Sequence, residues 1–364
     1  MSTAGISLLL IMAPHKFKGL DIIGLVVFLL ALFLFMTISI VLLCRFVYYK
    51  GTFTRAATHP REALFVSTFF LSISALLAAM SAYGSHFLAN HPGSLHGLQR
   101  FLSVVFWIYL SVTFLYGILQ YHTLFSIESR HAILRVDAMT PAWILPVFPV
   151  MMSGTLASAF VPTTADPTAA AGMALAGLAS QGLGMLISIF MFSTYLSRLM
   201  AYGLPHARPA MFIAVGPPSF TVSAILGLAK DSEHILQSLL ETVPKHDDID
   251  LATLSQALRI LALMSSVFLW GLSFWFLSMA LAGCACGMPD RKFHLSWWSL
   301  VFPNVGFVVS CIRMAEAVDS SGLSWFATVA MVILVAAWLS IATMCAWAVY
   351  SRQIVWPGHD EDAD

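Results

Sequence analysis

Residues 210–229 read AMFIAVGPPSFTVSAILGLA, and residues 21–44 read DIIGLVVFLLALFLFMTISIVLLC. Both are long enough to cross a hydrocarbon layer, which takes about 20 apolar residues. The first holds Pro217 and Pro218 in mid-segment, whereas the second holds no proline. Working outward, further apolar stretches fall at roughly 65–87, 101–121, 142–161, 170–197, 254–282, 296–315 and 326–350. A shorter piece, Ser2 to Met12, ends before Pro14 and is about half a span. Read as the remainder of an N-terminally truncated first helix, it brings the number of expected spans to ten.

The composition agrees. Of 364 residues, 59% are hydrophobic and 10% charged, with mean hydropathy +0.85, while soluble domains carry about 25% charged residues. Disorder, a basic nucleic-acid-binding surface and a disulfide scaffold are excluded. Lys+Arg and Asp+Glu are equal at 18 each, so net charge selects no partner. Cys44, Cys284, Cys286, Cys311 and Cys345 lack metal-ligand spacing, and no phosphate-binding glycine loop is evident. No metal or cofactor is expected, and ten spans without a soluble domain do not describe an enzyme.

Proline separates the spans into two sets. Pro141, Pro146 and Pro149 fall at or in the fifth, Pro209, Pro217 and Pro218 in the seventh, and Pro303 in the ninth, while the even spans hold none. A proline removes a backbone N–H and frees carbonyls. In hydrocarbon, such groups survive only where protein or a watery cavity satisfies them. The odd spans are therefore expected inside, bent, and the even ones outside, straight and facing lipid. Span six also carries Gly172, Ala176, Ser180 and Gly184, a ridge of small residues suited to close helix contact.

If the first residue is cytoplasmic, Arg45, Lys50, Arg55, Arg61, Arg130, Arg135, Arg198, Arg208, Arg291, Lys292 and Arg352 lie inside, and Lys16, Lys18, Arg100, Lys230, Lys245, Arg259 and Arg313 outside. This bias has the expected direction and puts both termini in the cytosol. Residues 1–352 read as one transmembrane transport domain, and 353–364 as a short acidic cytosolic tail. Between the span ends, ionisable side chains are nearly absent; Arg259, Arg313 and Glu316 sit close to an end. A proton relay would place carboxylates or histidines in mid-membrane. A route made of neutral polar groups and helix dipoles suits an anion instead. Ser153, Thr155, Ser219, Thr221 and Asn304 lie on the proline-bearing spans and are the candidate lining. Phe302, directly before Pro303, is a candidate hydrophobic gate.

The stretches MSTAGISLLL (1–10), HPREALF (59–65), PAWILPVFPVMMSGTLAS (141–158), RPAMFIAVGPPSFTVSAI (208–225) and WWSLVFPNVGF (297–307) resemble the tellurite-resistance/dicarboxylate transporter family. That family includes plant slow anion channels, and the likeness is strongest to its fungal malic acid permeases. It covers essentially the whole chain. The resemblance implies five helical hairpins, odd helices around a central pore and even ones outside, usually in a homotrimer with one pore per subunit. It also implies a pore-gating phenylalanine at Phe302. On this reading Arg61 gathers dicarboxylates at the cytoplasmic mouth and Arg313 mirrors it outside, since a guanidinium matches a carboxylate bidentately.

The expectation is a plasma-membrane transporter of malate, with succinate or fumarate as further substrates, channel-like or linked to protons. Two alternatives stand beside it: an inorganic anion channel or sulfite exporter of the same fold, and a non-transporting receptor or scaffold.

Overall fold

The computed structural model describes residues 1–59, 62–126, 136–164, 166–242, 250–287 and 293–354, and every regular element among these is helical. The helices are α1 (Ser2–Met12), α2 (Leu20–Tyr48), α3 (Thr52–Thr58), α4 (Glu62–Phe65), α5 (Ser67–Phe87), α6 (Pro92–Ser126), α7 (Phe148–Phe160), α8 (Pro167–Tyr202), α9 (Gly216–Lys230), α10 (Ser232–Thr242), α11 (Leu251–Ala285), α12 (Phe302–Val318) and α13 (Ser321–Tyr350). Eight segments among the described residues are long and apolar enough to cross a membrane, with α1 as a shorter apolar helix. The molecule is thus an all-α polytopic membrane protein. The tail beyond residue 354 lies outside the described residues.

The main departure from expectation concerns 142–161. A single helix does not form there: a 3-10 segment, Pro141–Ile144, is followed by a turn and then by α7, which is 13 residues long. Pro141, Pro146 and Pro149 remove the donors that a continuous helix would need. The same device recurs twice. The 3-10 segment Arg208–Val215 leads into α9, and Leu295–Leu300 leads into α12, each with proline in the first two positions of the helix that follows. Pro92 and Pro167 do open the long helices α6 and α8, but at the first position no intrahelical bond is lost.

Burial follows the broken backbone. In the most apolar window of Arg208–Lys230, 94% of residues are buried, and in Leu295–Val318, 72%. The corresponding figures are 11% for α2, 22% for α11 and 17% for α13. All of α7 except Ala159 is buried, as is most of α1. The exposed side chains of α2 include Phe33, Leu43 and Val47, a surface that suits lipid and not water. The interior helices touch in sequence: α1 on α5, α5 on α7, α7 on α9, α9 on α12, and α12 back on α1. Each remaining long helix covers the seam between two of them: α2 lies over α1 and α5, α6 over α5 and α7, α8 over α7 and α9, α11 over α9 and α12, and α13 over α12 and α1.

Glycines set the distances inside this shell. Gly5 of α1 accepts Val305 of α12, Gly216 of α9 accepts the Phe148 ring, and Gly306 of α12 accepts the Phe220 ring. The small residues of α8 serve the subunit interior. Gly184 lies against Met151, and Gly177 against Ala157 and Gly154 of α7.

A methyl group on Gly154 would stand 2.8 Å from the backbone carbonyl oxygen of Gly177, whereas one on Gly182 meets nothing within 4 Å. Gly154→Ala should therefore lower stability by about 1–3 kcal/mol. Gly182→Ala should be neutral or raise it by a few tenths, up to about 1 kcal/mol. Thermal unfolding in detergent compares the two; equal effects would contradict the close α7–α8 approach.

Candidate functional site

The breaks preceding α7, α9 and α12 bring three phenylalanines together. Phe148 and Phe302 are the first residues of α7 and α12, and Phe220 lies one turn into α9. Ring centroids are 5.3 Å apart for Phe220–Phe302, 5.8 Å for Phe148–Phe220 and 6.3 Å for Phe148–Phe302. The three are 1–3% exposed. Such tilted and edge-on aromatic contacts are favourable beyond the area they bury. Ala4 of α1, Leu71 and Ala75 of α5 and Met152 of α7 belong to the same apolar cluster, so every interior helix contributes to it. The N-terminal ends of α7, α9 and α12 are directed at this layer, with the partial positive charge that a helix start carries.

Sequence reasoning singled out Phe302 and missed Phe148 and Phe220. The signal for Phe148 was present, because Phe148-Pro149 repeats Phe302-Pro303. Phe220 carries no comparable mark; its role depends on how α9 is rotated against α12.

A helix turns about 100° per residue, so positions can be referred to the ring-bearing stripes. Thr155 is about 20° from Phe148 on α7, whereas Ser153 is about 140° away. Both hydroxyls are buried and have no hydrogen-bond partner. Ser219 and Thr221 lie to either side of Phe220 and face the covering helices. The Ser219 hydroxyl donates to the Val215 carbonyl at 2.7 Å and contacts the Ser273 hydroxyl of α11. The Thr221 hydroxyl donates to the Pro217 carbonyl at 2.7 Å and lies 2.8 Å from the Gln181 side-chain amide of α8. Asn304 is about 160° from Phe302, on the reverse of α12. Its amide N–H donates to the Leu300 carbonyl at 2.6 Å, bridging the helix break, while its side-chain oxygen is buried without a partner. Arg61 lies outside the described residues.

Arg313 stands on the Phe302 stripe, about 20° round and about 16 Å along α12. It is mostly buried, its Nη1 is 3.6 Å from a Glu316 carboxylate oxygen, and its Nε is buried without a partner. Glu316 also pairs with Lys230 at 3.2 Å, which places the ends of α9 and α12 side by side. Asp231, directly after α9, has its carboxyl pushed above the ordinary range by burial, against the opposing pull of Arg313, Lys230, His234 and Arg259. The Arg259 guanidinium donates to the Ala229 and Lys230 carbonyls at 3.3 and 3.1 Å, closing the C-terminal end of α9. Charge is thus concentrated at one end of the interior helices, and the aromatic layer lies toward the other.

Among the described residues, no group of three or more His, Cys, Asp or Glu side chains could hold a metal ion. The geometry offers a buried aromatic cluster, helix N-termini beside it, unpaired hydroxyls and a guanidinium, groups suited to a small anion.

Comparison with known proteins points the same way. The chain is 30% identical over 368 residues to a malic acid transport protein of the fission yeast Schizosaccharomyces pombe, covering 100% of this chain and 80% of the relative. It is 29% identical over 370 residues to a putative malic acid transport protein of the same yeast, covering 100% and 81%. Residues 1–346 match the family model described as SLAC1, voltage-dependent anion channel. The chain belongs to the SLAC1 family of anion transporters and channels.

Proposed function

We propose that this protein carries C4-dicarboxylates, malate foremost, along an axis enclosed by α1, α5, α7, α9 and α12 and closed by the Phe148–Phe220–Phe302 layer. The observation that carries this reading is the meeting of three proline-broken helices at one buried aromatic cluster. The likeness to yeast malic acid transport proteins supports the choice of substrate. On this reading the ten helices cross the plasma membrane as five hairpins with both termini cytosolic, and three copies assemble with one route each.

On this reading Thr155 and Arg313 face the route, and Ser153 and Asn304 present polar atoms close behind the lining. Arg61, which lies outside the described residues, is assigned to the cytoplasmic mouth from the sequence alone. Ser219 and Thr221 hold α9 against α11 and α8, which fixes where Phe220 points. Rotation of the Phe302 ring at the break before α12 opens the constriction, which otherwise excludes water and ions. One charge crossing 100 mV is worth about 2.3 kcal/mol, so exit of a dianion from an inside-negative cell is favoured by about twice that. Uptake then requires the mono-protonated acid or an accompanying proton.

The family description, voltage-dependent anion channel, also supports a second reading, in which this protein is a channel; we take inorganic anions as its cargo in that case. Chloride or nitrate currents as large as the malate current would select it.

Labelled malate flux in liposomes tests the gate. Phe302→Ala should increase flux several-fold at unchanged protein content, and Phe148→Ala or Phe220→Ala should do so to a smaller degree. Folded variants with wild-type or lower flux would assign the rings to packing alone.

Thr155→Val gives a separate check. Valine keeps the shape of the side chain, so removing this hydroxyl, which has no protein partner, should leave stability unchanged or slightly raised. If that hydroxyl serves the passing anion, malate flux should fall about three- to tenfold in the same variant. Unchanged or raised stability with wild-type flux would remove Thr155 from the route.

A further inference from the structure

The charged end of the interior helices contains a carboxylate and a guanidinium in matching registers. Asp231 lies eleven residues beyond Phe220 and Arg313 eleven residues beyond Phe302. Eleven residues are about three turns and return to within about 20° of the starting direction. Both side chains therefore continue the stripes that carry the aromatic layer, at the end where the contact between Lys230 and Glu316 joins α9 to α12.

The surrounding charges are partly spoken for. Lys230 pairs with Glu316, Arg259 donates to the carbonyls closing α9 and stands 4.0 Å from Glu233 of α10. The His234 ring is 3.1 Å from the Thr164 carbonyl oxygen, Asp166 caps α8 and Asp250 caps α11. None of the hydrogen bonds or ion pairs among the described residues ends on the Asp231 carboxylate. Among the described residues, Arg313 has a buried Nε without a partner, and its one ion pair, with the half-exposed Glu316, is 3.6 Å long. Exposed pairs of that kind contribute little.

Resting on the transport reading above, we infer that Arg313 is the docking group for a substrate carboxylate at this end, and that Asp231, which makes no ion pair with it, is the opposing charge that weakens this docking until Asp231 takes up a proton. The Asp231 charge offsets the guanidinium's pull on a carboxylate docked there. Protonation removes that charge, so anion affinity at this mouth rises as the adjoining solution becomes more acidic. The direction of the Asp231 shift agrees, since burial favours the protonated form. The device couples binding to the proton concentration without a relay through the membrane.

Malate KM, measured from the Asp231 side in oriented liposomes between about pH 4 and pH 7, tests it. Malate itself titrates in this range, so the ratio of wild-type to D231N KM at each pH is the quantity to follow. The ratio should be about three- to tenfold at neutral pH and should approach one in acid. Asp231→Glu should keep the pH dependence, Glu316→Gln should leave it in place, and Arg313→Gln should raise KM about tenfold and abolish it. A ratio that stays constant with pH in folded, transporting protein overturns the inference. If the wild type carries no malate, the substrate assignment fails instead. Chloride conductance, which has no substrate titration, then decides the inference by the same D231N comparison.

Discussion

A peptide group without a hydrogen-bond partner cannot face hydrocarbon, and this constraint organises the molecule. Three of its apolar segments contain proline in mid-run, so their backbones cannot complete the helical ladder. They can exist only when covered by protein. Unbroken helices provide that cover, and their surfaces can be almost wholly apolar because nothing in them needs satisfying. For α7, α9 and α12 the place inside is therefore set by backbone chemistry more than by side-chain polarity, whereas α1 and α5 lie inside without a proline break. Hydropathy alone would not separate the two sets, since the covering helix α8 and the interior segment holding α9 are equally apolar.

The same breaks create the conditions for function. A short 3-10 segment followed by a proline-started helix turns a helix N-terminus toward the interior at a depth where an uninterrupted helix would present only side chains. Three such starts converge on Phe148, Phe220 and Phe302. Glycine at 216 and 306 gives two of those rings room to pack, so the layer is dense and closed to the surface. An apolar seal beside partial positive charge resists water and small cations and, once displaced, leaves an environment that favours an anion.

Much of this was legible in the chain. Proline in the fifth, seventh and ninth spans marked three of the buried segments, while α1 and α5 are buried without that mark; Phe302 was marked by the proline that follows it. The helix expected over 142–161 was not, because three prolines within nine residues prevent it and leave α7 at 13 residues. Side-chain direction was harder to read. Ser219 and Thr221 stand on a broken helix, as expected of lining residues, yet their hydroxyls meet α11 and α8. The sequence shows that a hydroxyl is present on such a helix; the rotation of that helix about its own axis is decided by packing with its neighbours. Asp231 went unmarked for a related reason. By composition it belongs to an acidic loop, and only the register of α9 against α12 brings it near Arg313.

The central claim is that a water-accessible axis runs beside Thr155 and is sealed at the aromatic layer. The most direct measurement is modification of single cysteines by a membrane-impermeant anionic thiol reagent, after the five native cysteines are replaced. Thr155→Cys should be modified, and its flux blocked, much faster when Phe302 is also alanine, while Ser153→Cys, turned away from the axis, should react slowly in both backgrounds. Equal modification of the two positions, or no acceleration on removal of the Phe302 ring, would contradict the account.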